Sequence, residues 1–467
     1  MHEPKSWKPG TRAEWEKRAA EELEGRAVAS LTVATPSGMA VEPLHASDTD
    51  ARVAPFPEHL RPRAGWRAAE DVDESAEPFA FARLAASEGV RVLRTRATDA
   101  DAVRRLAEGL VAGAAAGSGT AASTAIVLRG EAFPLDGLAR LAGCSSTVHG
   151  GFDPHRAAFR GAPLLGGASA AHESAFVAAC SAAGLAGPAL EIDASIVRDA
   201  GGDAVDELVH VLAALVERVR AAAAAGREPH TFFGACAVRV ALCRDLFEEV
   251  AKLRALRLVV ARVESAITSA ANTRLLVHTQ SARRELAGVD EPTNALRTTA
   301  HAVAAALGGA DTIALAPFER GSRRGERLAR TTHAVLEHEA ALARVDDPTG
   351  GAWYIEHLTD ALARAAWREF QNVEAAGGLS RWIESGAFAQ RLDVRRTALA
   401  ARVAAGEHVI VGANRYQPVS LEAPAAAASS STARAPAKLR RAPNSWPLLD
   451  VLDESAFATT DTRRGGA

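Results

Sequence analysis

Between residues 80 and 320 the chain alternates short apolar runs with alanine-rich runs of helical periodicity. The apolar runs suit buried parallel strands, and the helical runs suit the crossover connections that parallel strands require. This alternation predicts an α/β fold, for which a closed (β/α)8 barrel of the TIM type fits the length and an open doubly wound sheet is the alternative. The predicted strands are residues 90–97, 124–130, 189–195, 235–242, 274–280 and 311–317.

The charge of the chain is close to balanced. It carries 54 Lys and Arg against 57 Asp and Glu, which gives a formal net charge of −3. No bulk electrostatic field therefore recruits nucleic acid or an anionic membrane surface. Because 48% of the residues are hydrophobic but only 5% are aromatic, we expect closely packed helices with few large apolar anchors.

The cysteines and the N-terminal sequence indicate the cellular compartment of the protein. The four cysteines form no Cys-x-x-Cys pair and are too few for a disulfide framework, so we expect four buried thiols. Residues 1–20 contain no apolar signal segment, and no stretch of about 18 apolar residues is free of charge. We therefore expect a cytoplasmic location.

The sequence on either side of the alternating region indicates further structural units. Residues 11–25 predict a charged amphipathic helix, two short strand-like runs follow around a Pro-Ser-Gly turn, and residues 51–80 are rich in proline and charge. We expect residues 1–80 to form a helical and extended subunit-contact arm, and residues 81–420 to form the barrel. Residues 421–437 are an Ala/Ser/Pro linker, and the tail 438–467 contains one apolar cluster, SWPLLDVL, suited to docking on a surface.

The most sharply patterned stretch is DDPTGGAWYIEHLTDALARAAWREFQNVEAAGG, at 346–378. A Pro- and Gly-containing turn precedes a long amphipathic helix over 353–374, and Gly377-Gly378 suits a left-handed C-terminal cap. The predicted buried stripe of this helix is Ile355, Leu358, Leu362, Ala366, Phe370 and Val373. We expect its tryptophans to be core or interface anchors.

Few motifs indicate chemistry. Gly117-Ser118-Gly119 precedes a strand and does not open a helix, so it is not a dinucleotide loop. Asp153-Pro154-His155 is close to a cobalt-ligating loop but lacks its glycine, because Ala158 stands there. His278 falls near the C-terminal end of a predicted strand, where a barrel places ligand-facing residues.

Further segments follow one another in a fixed order: EVAKLRALRL at 249–258, HTQ at 278–280, RTT at 297–299, AAALGGADT at 304–312, ERLARTTHAVLEHEA at 326–340 and VGANRYQP at 411–418. Together with the turn and helix of 347–378, they resemble the barrel subunits of adenosylcobalamin-dependent methylmalonyl-CoA mutases. PSGMAVEPLHASDTD, at 36–50, resembles the start of the small subunits of this family. The resemblance covers about residues 5–420 and is most specific over 245–415.

The resemblance implies a radical carbon-skeleton rearrangement in which adenosylcobalamin supplies the radical. It also implies a barrel that binds acyl-CoA along its axis and a separate C-terminal domain that holds the cobalamin. The catalytic subunits have Tyr and His where this chain has Ser195 and Ile196, and isoleucine offers no donor to a thioester carbonyl. Leu276 stands where the family has a CoA-binding arginine. The only tyrosines, Tyr354 and Tyr416, are far from the N-terminal position of the substrate-shielding tyrosine.

We therefore expect no catalytic residue and no metal site in this chain. His278, Gln280 and Arg198 remain as vestigial candidates for a substrate pocket, and we hypothesise that Arg198 plugs the barrel through a salt bridge with a carboxylate such as Asp193. The sequence stops where the cobalamin domain would begin, so adenosylcobalamin is expected on a partner subunit.

The resulting hypothesis is a non-catalytic small subunit that pairs with the catalytic large subunit of a heterodimeric methylmalonyl-CoA mutase. Two alternatives remain. One is an acyl-CoA mutase large subunit whose cobalamin domain is a separate chain, against which Ile196 and the missing tyrosines argue. The other is a mutase-like barrel reused as a binding module.

Overall fold

A computed structural model describes residues 10–46, 53–72, 78–96, 99–115, 124–128, 134–144, 148–159, 167–185, 187–268 and 273–417. The Gly117-Ser118-Gly119 loop, the linker and the tail lie outside these residues. The strands are β1 (Val33–Ala34), β2 (Ala40–Val41), β3 (Arg67–Asp71), β4 (Val92–Thr95), β5 (Ala125–Leu128), β6 (Val148–His149), β7 (Leu190–Asp193), β8 (Cys236–Leu242), β9 (Leu276–Ser281) and β10 (Thr312–Ala314).

Helices follow most of the strands. They are α1 (Arg12–Glu22), α2 (Pro78–Ser87), α3 (Ala100–Ala115), α4 (Leu135–Arg140), α5 (Pro154–Phe159), α6 (Gly167–Ala182), α7 (Ser195–Asp199), α8 (Ala204–Ala224), α9 (Pro229–Ala235), α10 (Leu246–Ile267), α11 (Asn294–Leu307), α12 (Arg323–Ala334), α13 (Trp353–Ala375), α14 (Gly378–Glu384) and α15 (Ala387–Ala404). A π-helical turn, Val335–Glu339, extends α12.

The eight strands β3–β10 form one parallel sheet in the order β6-β5-β4-β3-β10-β9-β8-β7. The sheet curls until its two outer strands meet at a single parallel bridge between Phe152, just beyond β6, and Leu190 of β7. The Phe152 amide donates to the Ala189 carbonyl at 3.2 Å, and the Glu191 amide donates to the Phe152 carbonyl at 3.0 Å. The expected (β/α)8 arrangement is confirmed, and the open doubly wound sheet was the wrong alternative.

Two glycines let the neighbouring strands approach the end of β6: Gly150 faces Ala189, next to β7, at the seam between the two outer strands, and Gly151 faces Leu128 of β5. A Cβ on Gly150 would stand 2.6 Å from the Ala189 carbonyl oxygen and 2.7 Å from its Cα. A Cβ on Gly151 would stand 2.6 Å from the Leu128 carbonyl oxygen. Because real Cβ atoms do not approach backbone this closely, only glycine lets β7 come close at residue 150 and β5 come close at residue 151.

All six predicted strands are present, and two further strands were not predicted. β3 reads RAAED and β6 is two residues long, so neither has the apolar run by which a buried strand is recognised. β3 pairs with β4 on one side and with β10 on the other. A barrel strand therefore begins ahead of residue 81, inside the segment expected to form the arm.

The N-terminal segment is anchored on the barrel helices. β1 and β2 form the expected hairpin. At its turn the Ser37 amide and hydroxyl donate to the buried Glu248 carboxylate at 3.1 and 2.8 Å, and the Ala204 amide donates to the Ser37 hydroxyl at 3.0 Å. α1 begins with a capping box between Thr11 and Glu14 and buries none of its residues.

The patterned stretch at 346–378 is a structural unit. The six residues of the predicted stripe are all buried, and α13 packs against α10 and α8. Arg254 of α10 is fully buried, donates to Asp347 and to Glu356 at 2.6 Å, and stacks on Phe56 at 4.2 Å. We call Arg254 with Asp347 and Glu356 the Arg254 clamp. These contacts explain why the residues before α13 and in its first helical turn form so specific a pattern.

The described residues bear on two properties of the chain. Cys144, Cys180, Cys236 and Cys243 are free and buried. Among the helices of the ranges given above, none combines the length and the apolar composition needed to cross a bilayer.

Candidate functional site

The inner face of the sheet carries a buried ion cluster where the resemblance leads one to expect a ligand channel. Glu191 of β7, Arg239 of β8 and His278 of β9 project from successive strands. The Arg239 guanidinium donates to Glu191 Oε1 at 2.6 and 3.0 Å, and His278 Nδ1 lies 3.0 Å from the same oxygen. Burial alone would raise the pKa of Glu191, but Arg239 and His278 hold it well below its usual range.

The rest of the inner face combines one more titratable group with an apolar wall. His149 of β6 lies near Arg67 and His278, and burial, followed by these two neighbours, lowers its pKa to about 4. The opposite side of the inner face is an apolar cluster of Ala69, Val92, Val127 and Ala314. One side of the inner face thus carries a buried ion pair between adjacent strands, and the other side is lined by small apolar side chains.

Ser195 and Ile196 begin α7, one residue beyond the end of β7, at the C-terminal end of the barrel where the resemblance implies a Tyr-His pair. The Ser195 hydroxyl and amide both donate to Asp193, the amide at 3.2 Å, so its polar atoms are engaged within the turn. Ile196 is half-buried against the core. Its side chain has no polar atom, so this position provides no donor to a substrate carbonyl.

The hypothesised salt bridge between Arg198 and Asp193 is wrong. Arg198 donates from Nε to Cys243 Sγ at 2.9 Å and from Nη2 to Glu249 at 3.0 Å. Asp193 is paired instead with Arg156, at 3.3 Å. The reason is local: the backbone enters α7 at Ser195, so Arg198 is turned away from the barrel axis and toward α10.

Arg198 belongs to a fully buried network behind the strands. Lys252 contacts Glu207 at 2.7 Å and Glu249 at 2.6 Å, and the Glu207 carboxylate also accepts the Ala241 amide at 2.5 Å. Burial would lower the pKa of Lys252, but Glu207 and Glu249 raise it. Glu249 and Lys252 come from the 249–258 motif, which therefore acts in packing and charge pairing between α8, α10 and β8.

A cavity of about 760 Å³ opens at the C-terminal ends of β3, β4, β9 and β10. Gln280 lines it, whereas His278 lies deeper in the strand and is only 6% exposed. The vestigial candidates are therefore not one site: Gln280 faces the cavity, His278 is in the inner cluster and Arg198 is outside the barrel. The sequence did not lead us to predict Glu191 and Arg239 as residues of the inner cluster. Each is a charged residue inside an apolar strand run, and this was the signal by which they could have been found.

Asp153-Pro154-His155, the stretch that is close to a cobalt-ligating loop, does not form a site that fits a cobalamin. His155 is 3% exposed, and its Nε2 faces Glu217 at 3.3 Å. Glu217 in turn accepts from the Ser380 amide at 2.9 Å and from its hydroxyl. Over the ranges that the structure describes, no group of three or more His, Cys, Asp or Glu side chains is arranged to hold a metal ion.

His210 of α8 is fully buried beside Phe159 and Phe388, and neither ring nitrogen has a hydrogen-bond partner among the described residues. Burial, followed by the neighbouring His155, lowers its pKa to about 3. The unfolded chain takes up this proton near pH 6.5 and the folded chain only near pH 3. Stability is therefore lost as the pH falls through this window.

We expect His210→Phe to raise the free energy of unfolding by about 1–3 kcal/mol, because it removes two buried unsatisfied atoms. The pH dependence of stability between 6.5 and 3 should also become shallower. Urea unfolding at pH 7.5 and at pH 5 measures both effects. His338→Phe, at an exposed position, is the matched control, and an equal response of the two variants would contradict the assignment.

Comparison with known proteins agrees with this geometry. The methylmalonyl-CoA mutase family model matches residues 176–442, more than half of the chain. A methylmalonyl-CoA mutase of Rhizobium meliloti is 33% identical over 58% of this chain and 39% of its own length. Small subunits of methylmalonyl-CoA mutase from Streptomyces virginiae and Propionibacterium freudenreichii subsp. shermanii are 37% and 35% identical, over 44% and 50% of this chain.

These matches cover only 34% and 36% of the two small subunits, so the chain spans less than half the length of the curated relatives it matches. The matched region includes four of the eight barrel strands, β7–β10, together with Arg254 and its two carboxylate partners and the helices around the buried network. The eight-stranded parallel barrel, the ordered motifs and the family match lead to one conclusion: the chain belongs to the methylmalonyl-CoA mutase family.

Proposed function

We propose that the chain is the non-catalytic small subunit of a heterodimeric, adenosylcobalamin-dependent methylmalonyl-CoA mutase, located in the cytoplasm. In this proposal the catalytic large subunit binds the substrate and the cobalamin, and it interconverts methylmalonyl-CoA and succinyl-CoA. The present chain stabilises that subunit and performs no chemical step. The names of the small-subunit relatives support the pairing.

The observation that carries the proposal is the buried ion cluster on the inner face of β7, β8 and β9. An acyl-CoA chain threaded along the axis would lie against Arg239 and Glu191, which bind each other and are 0% and 1% exposed, so any contact that it made with either charge would compete with this pair. Separating such a buried pair leaves an uncompensated charge and costs about 3–5 kcal/mol. The cluster therefore opposes binding of the substrate in the position that the family uses.

The end of β7 gives a second, independent argument. Stabilising a developing charge on a thioester carbonyl needs a preorganised donor aimed at the oxygen. Ile196 has none, the Ser195 hydroxyl is directed to Asp193, and Arg198 is held by Glu249 on the other side of α7. The scaffold is thus retained while the groups that would act on a substrate are missing.

The proposal is tested by light-scattering chromatography of the purified chain, alone and mixed with a catalytic methylmalonyl-CoA mutase subunit from the same source. We expect a 1:1 complex and mutase turnover that depends on the catalytic subunit. A chain that does not associate would contradict the proposal. Turnover by this chain with only a separate cobalamin-domain protein would instead support the large-subunit alternative.

Variants of the complex sharpen this test. Ile196→Ala and Gln280→Ala should leave kcat and KM of the complex unchanged within about twofold, because all substrate contacts are on the partner in this proposal. A loss of turnover of tenfold or more in either variant, with the complex intact, would place chemistry on this chain.

A further inference from the structure

The cavity at the C-terminal mouth of the barrel has no role in the proposed function, which assigns the mutase substrate to the partner. Its apolar wall is formed by Phe81 of α2, Leu286 after β9, and Leu315, Pro317 and Phe318 after β10. Its volume of about 760 Å³ lies within the range of about 300–1,000 Å³ that is usual for ligand pockets. A cavity of this size can enclose the apolar body of a small molecule.

The charged side chains of the lining favour a cationic ligand over an anionic one. Among the described residues the lining contains more acids than bases: Glu70, Asp71, Glu291 and Glu326 against Arg94, Arg283 and Arg320. Arg94 donates to Asp71 at 2.7 Å, and the other two arginines already have interaction partners. A carboxylate or phosphate would therefore have to compete for the guanidinium groups and would also be repelled by the acids.

The acids are most crowded where α12 meets the end of β3. Arg330 of α12 donates two hydrogen bonds to Glu70 and one to Glu88, and Glu326 lies 3.8 Å from the same guanidinium. One buried cation thus faces three carboxylates, of which only Glu88 has a second cationic partner, the exposed Arg327. Glu326 accepts no hydrogen bond from the part of the chain that the structure describes.

The ionisation of Glu70 reflects the same shortage of positive charge. Burial raises the pKa of Glu70, Arg330 opposes the rise, and the neighbouring Glu326 and Asp71 add to it. A second cation at this place would be attracted by Glu70 and by Glu326. An ammonium group suits the position, because it is a compact charge with up to three hydrogen-bond donors for carboxylate oxygens.

The acids lie next to the apolar wall and away from the barrel axis. The guanidinium of Arg330 stacks on the ring of Phe81 at 4.9 Å, so Phe81, Glu70 and Glu326 surround one group. Glu70 follows Ala69, which belongs to the apolar cluster of the inner face, so Glu70 points outward to α2 and α12. A ligand held here would lie between the sheet and these helices.

We propose that the mouth cavity binds a small organic amine, with its ammonium group at Glu326 and Glu70 and its aliphatic or aromatic body on the apolar wall beside Phe81. The ammonium supplies the cation that the acids lack, and the body exchanges water for the apolar wall. An acyl-CoA has the opposite charge, so the site differs from the substrate position that the resemblance implies. The inference concerns this chain alone and does not depend on the mutase partner.

Calorimetric titration of the full chain with three probes that share one body tests the charge preference. At neutral pH phenylpropylamine is a cation, phenylpropanol is neutral and phenylpropanoate is an anion. We expect the amine to bind at least about tenfold more tightly than the alcohol, because a hydrogen bond to a charged group is the stronger one, and we expect no measurable binding of the carboxylate. Equal affinities for amine and alcohol, or no binding of the amine, would overturn the proposal.

Removal of one carboxylate tests the place of the ammonium group. Glu326→Gln should weaken binding of phenylpropylamine at least about tenfold and leave the affinity for phenylpropanol unchanged. Glu337→Gln is the matched control, because it removes the same charge at an exposed position in the π-helical turn that extends α12, outside the cavity lining. Equal losses in the two variants would mean that only general electrostatic attraction holds the amine, which contradicts the proposal.

Occlusion of the cavity tests the place of the apolar body. Gly288 lines the cavity and is exposed, and an added Cβ would have no atom within 4 Å, so Gly288→Trp can fill the cavity without displacing the backbone. We expect this variant to bind the amine at least about tenfold more weakly than the parent chain. Gly234→Trp, at an equally open and exposed position of α9, should bind it as the parent does. Undiminished binding by Gly288→Trp would place the amine elsewhere and refute the site.

Discussion

Arg254→Leu is expected to lower the free energy of unfolding by about 3–5 kcal/mol, because breaking a buried charge pair by removing one partner leaves the other charges uncompensated. Arg254 is 0% exposed and is the cation that Asp347 and Glu356 share. Its loss also removes the stacking on Phe56. Urea denaturation followed by circular dichroism measures the change.

The control is Arg364→Leu on α13, where the arginine is 66% exposed and pairs with Asp360 one helical turn away. Such an exposed pair contributes about 0.3–0.5 kcal/mol, so this variant should differ little from the parent chain. Adding Asp347→Asn to Arg254→Leu should recover part of the loss, because it removes one of the stranded carboxylates. A loss below about 1 kcal/mol for Arg254→Leu would show that the clamp is not a major stabilising feature.

Gly150→Ala is expected to destabilise the chain by about 3 kcal/mol, at the upper end of the cost of overpacking. The new methyl group would meet the Ala189 backbone, which is not the end of a flexible side chain and has no room to rotate away. The two strands must therefore separate at the seam. Hydrogen exchange should accordingly show faster exchange of the Glu191 amide, which donates across the seam to Phe152.

Gly109→Ala in α3 is the matched substitution, since a Cβ at Gly109 has no atom within 4 Å and the backbone is already helical. Replacing a helical glycine by alanine should stabilise the chain by about 1 kcal/mol. The two glycine variants thus shift stability in opposite directions. A neutral Gly150→Ala would mean that the seam is not tightly packed.

The sequence allowed the fold to be predicted wherever apolar periodicity decides the structure. The strands β4, β5 and β7–β10 and the helix α13 were found in this way. β3 was missed because its charged side chains find partners only in the folded state: Glu70 binds Arg330 and Asp71 binds Arg94. A strand that is stabilised by distant partners does not show in its own composition.

The site was less predictable for a related reason. The positions of Ser195 and Ile196 at the end of β7 follow from local pattern, so their place in the barrel was foreseen. The Glu191–Arg239–His278 cluster requires knowing that β7, β8 and β9 are neighbours and that the sheet curls. The partner of Arg198 was predicted wrongly because the start of α7 reverses the direction in which that side chain points.

The pairing of β3 with β10 also has a consequence for the order of events during synthesis. Arg67 is aligned with Thr312, and the Ser37 turn of the N-terminal hairpin is held by Glu248. A nascent chain therefore exposes one unpaired edge of β3 until most of the barrel has left the ribosome, and such distant pairings form slowly. Unpaired strand edges recruit other chains. The completed barrel thus depends on a late step at which premature association competes with closure.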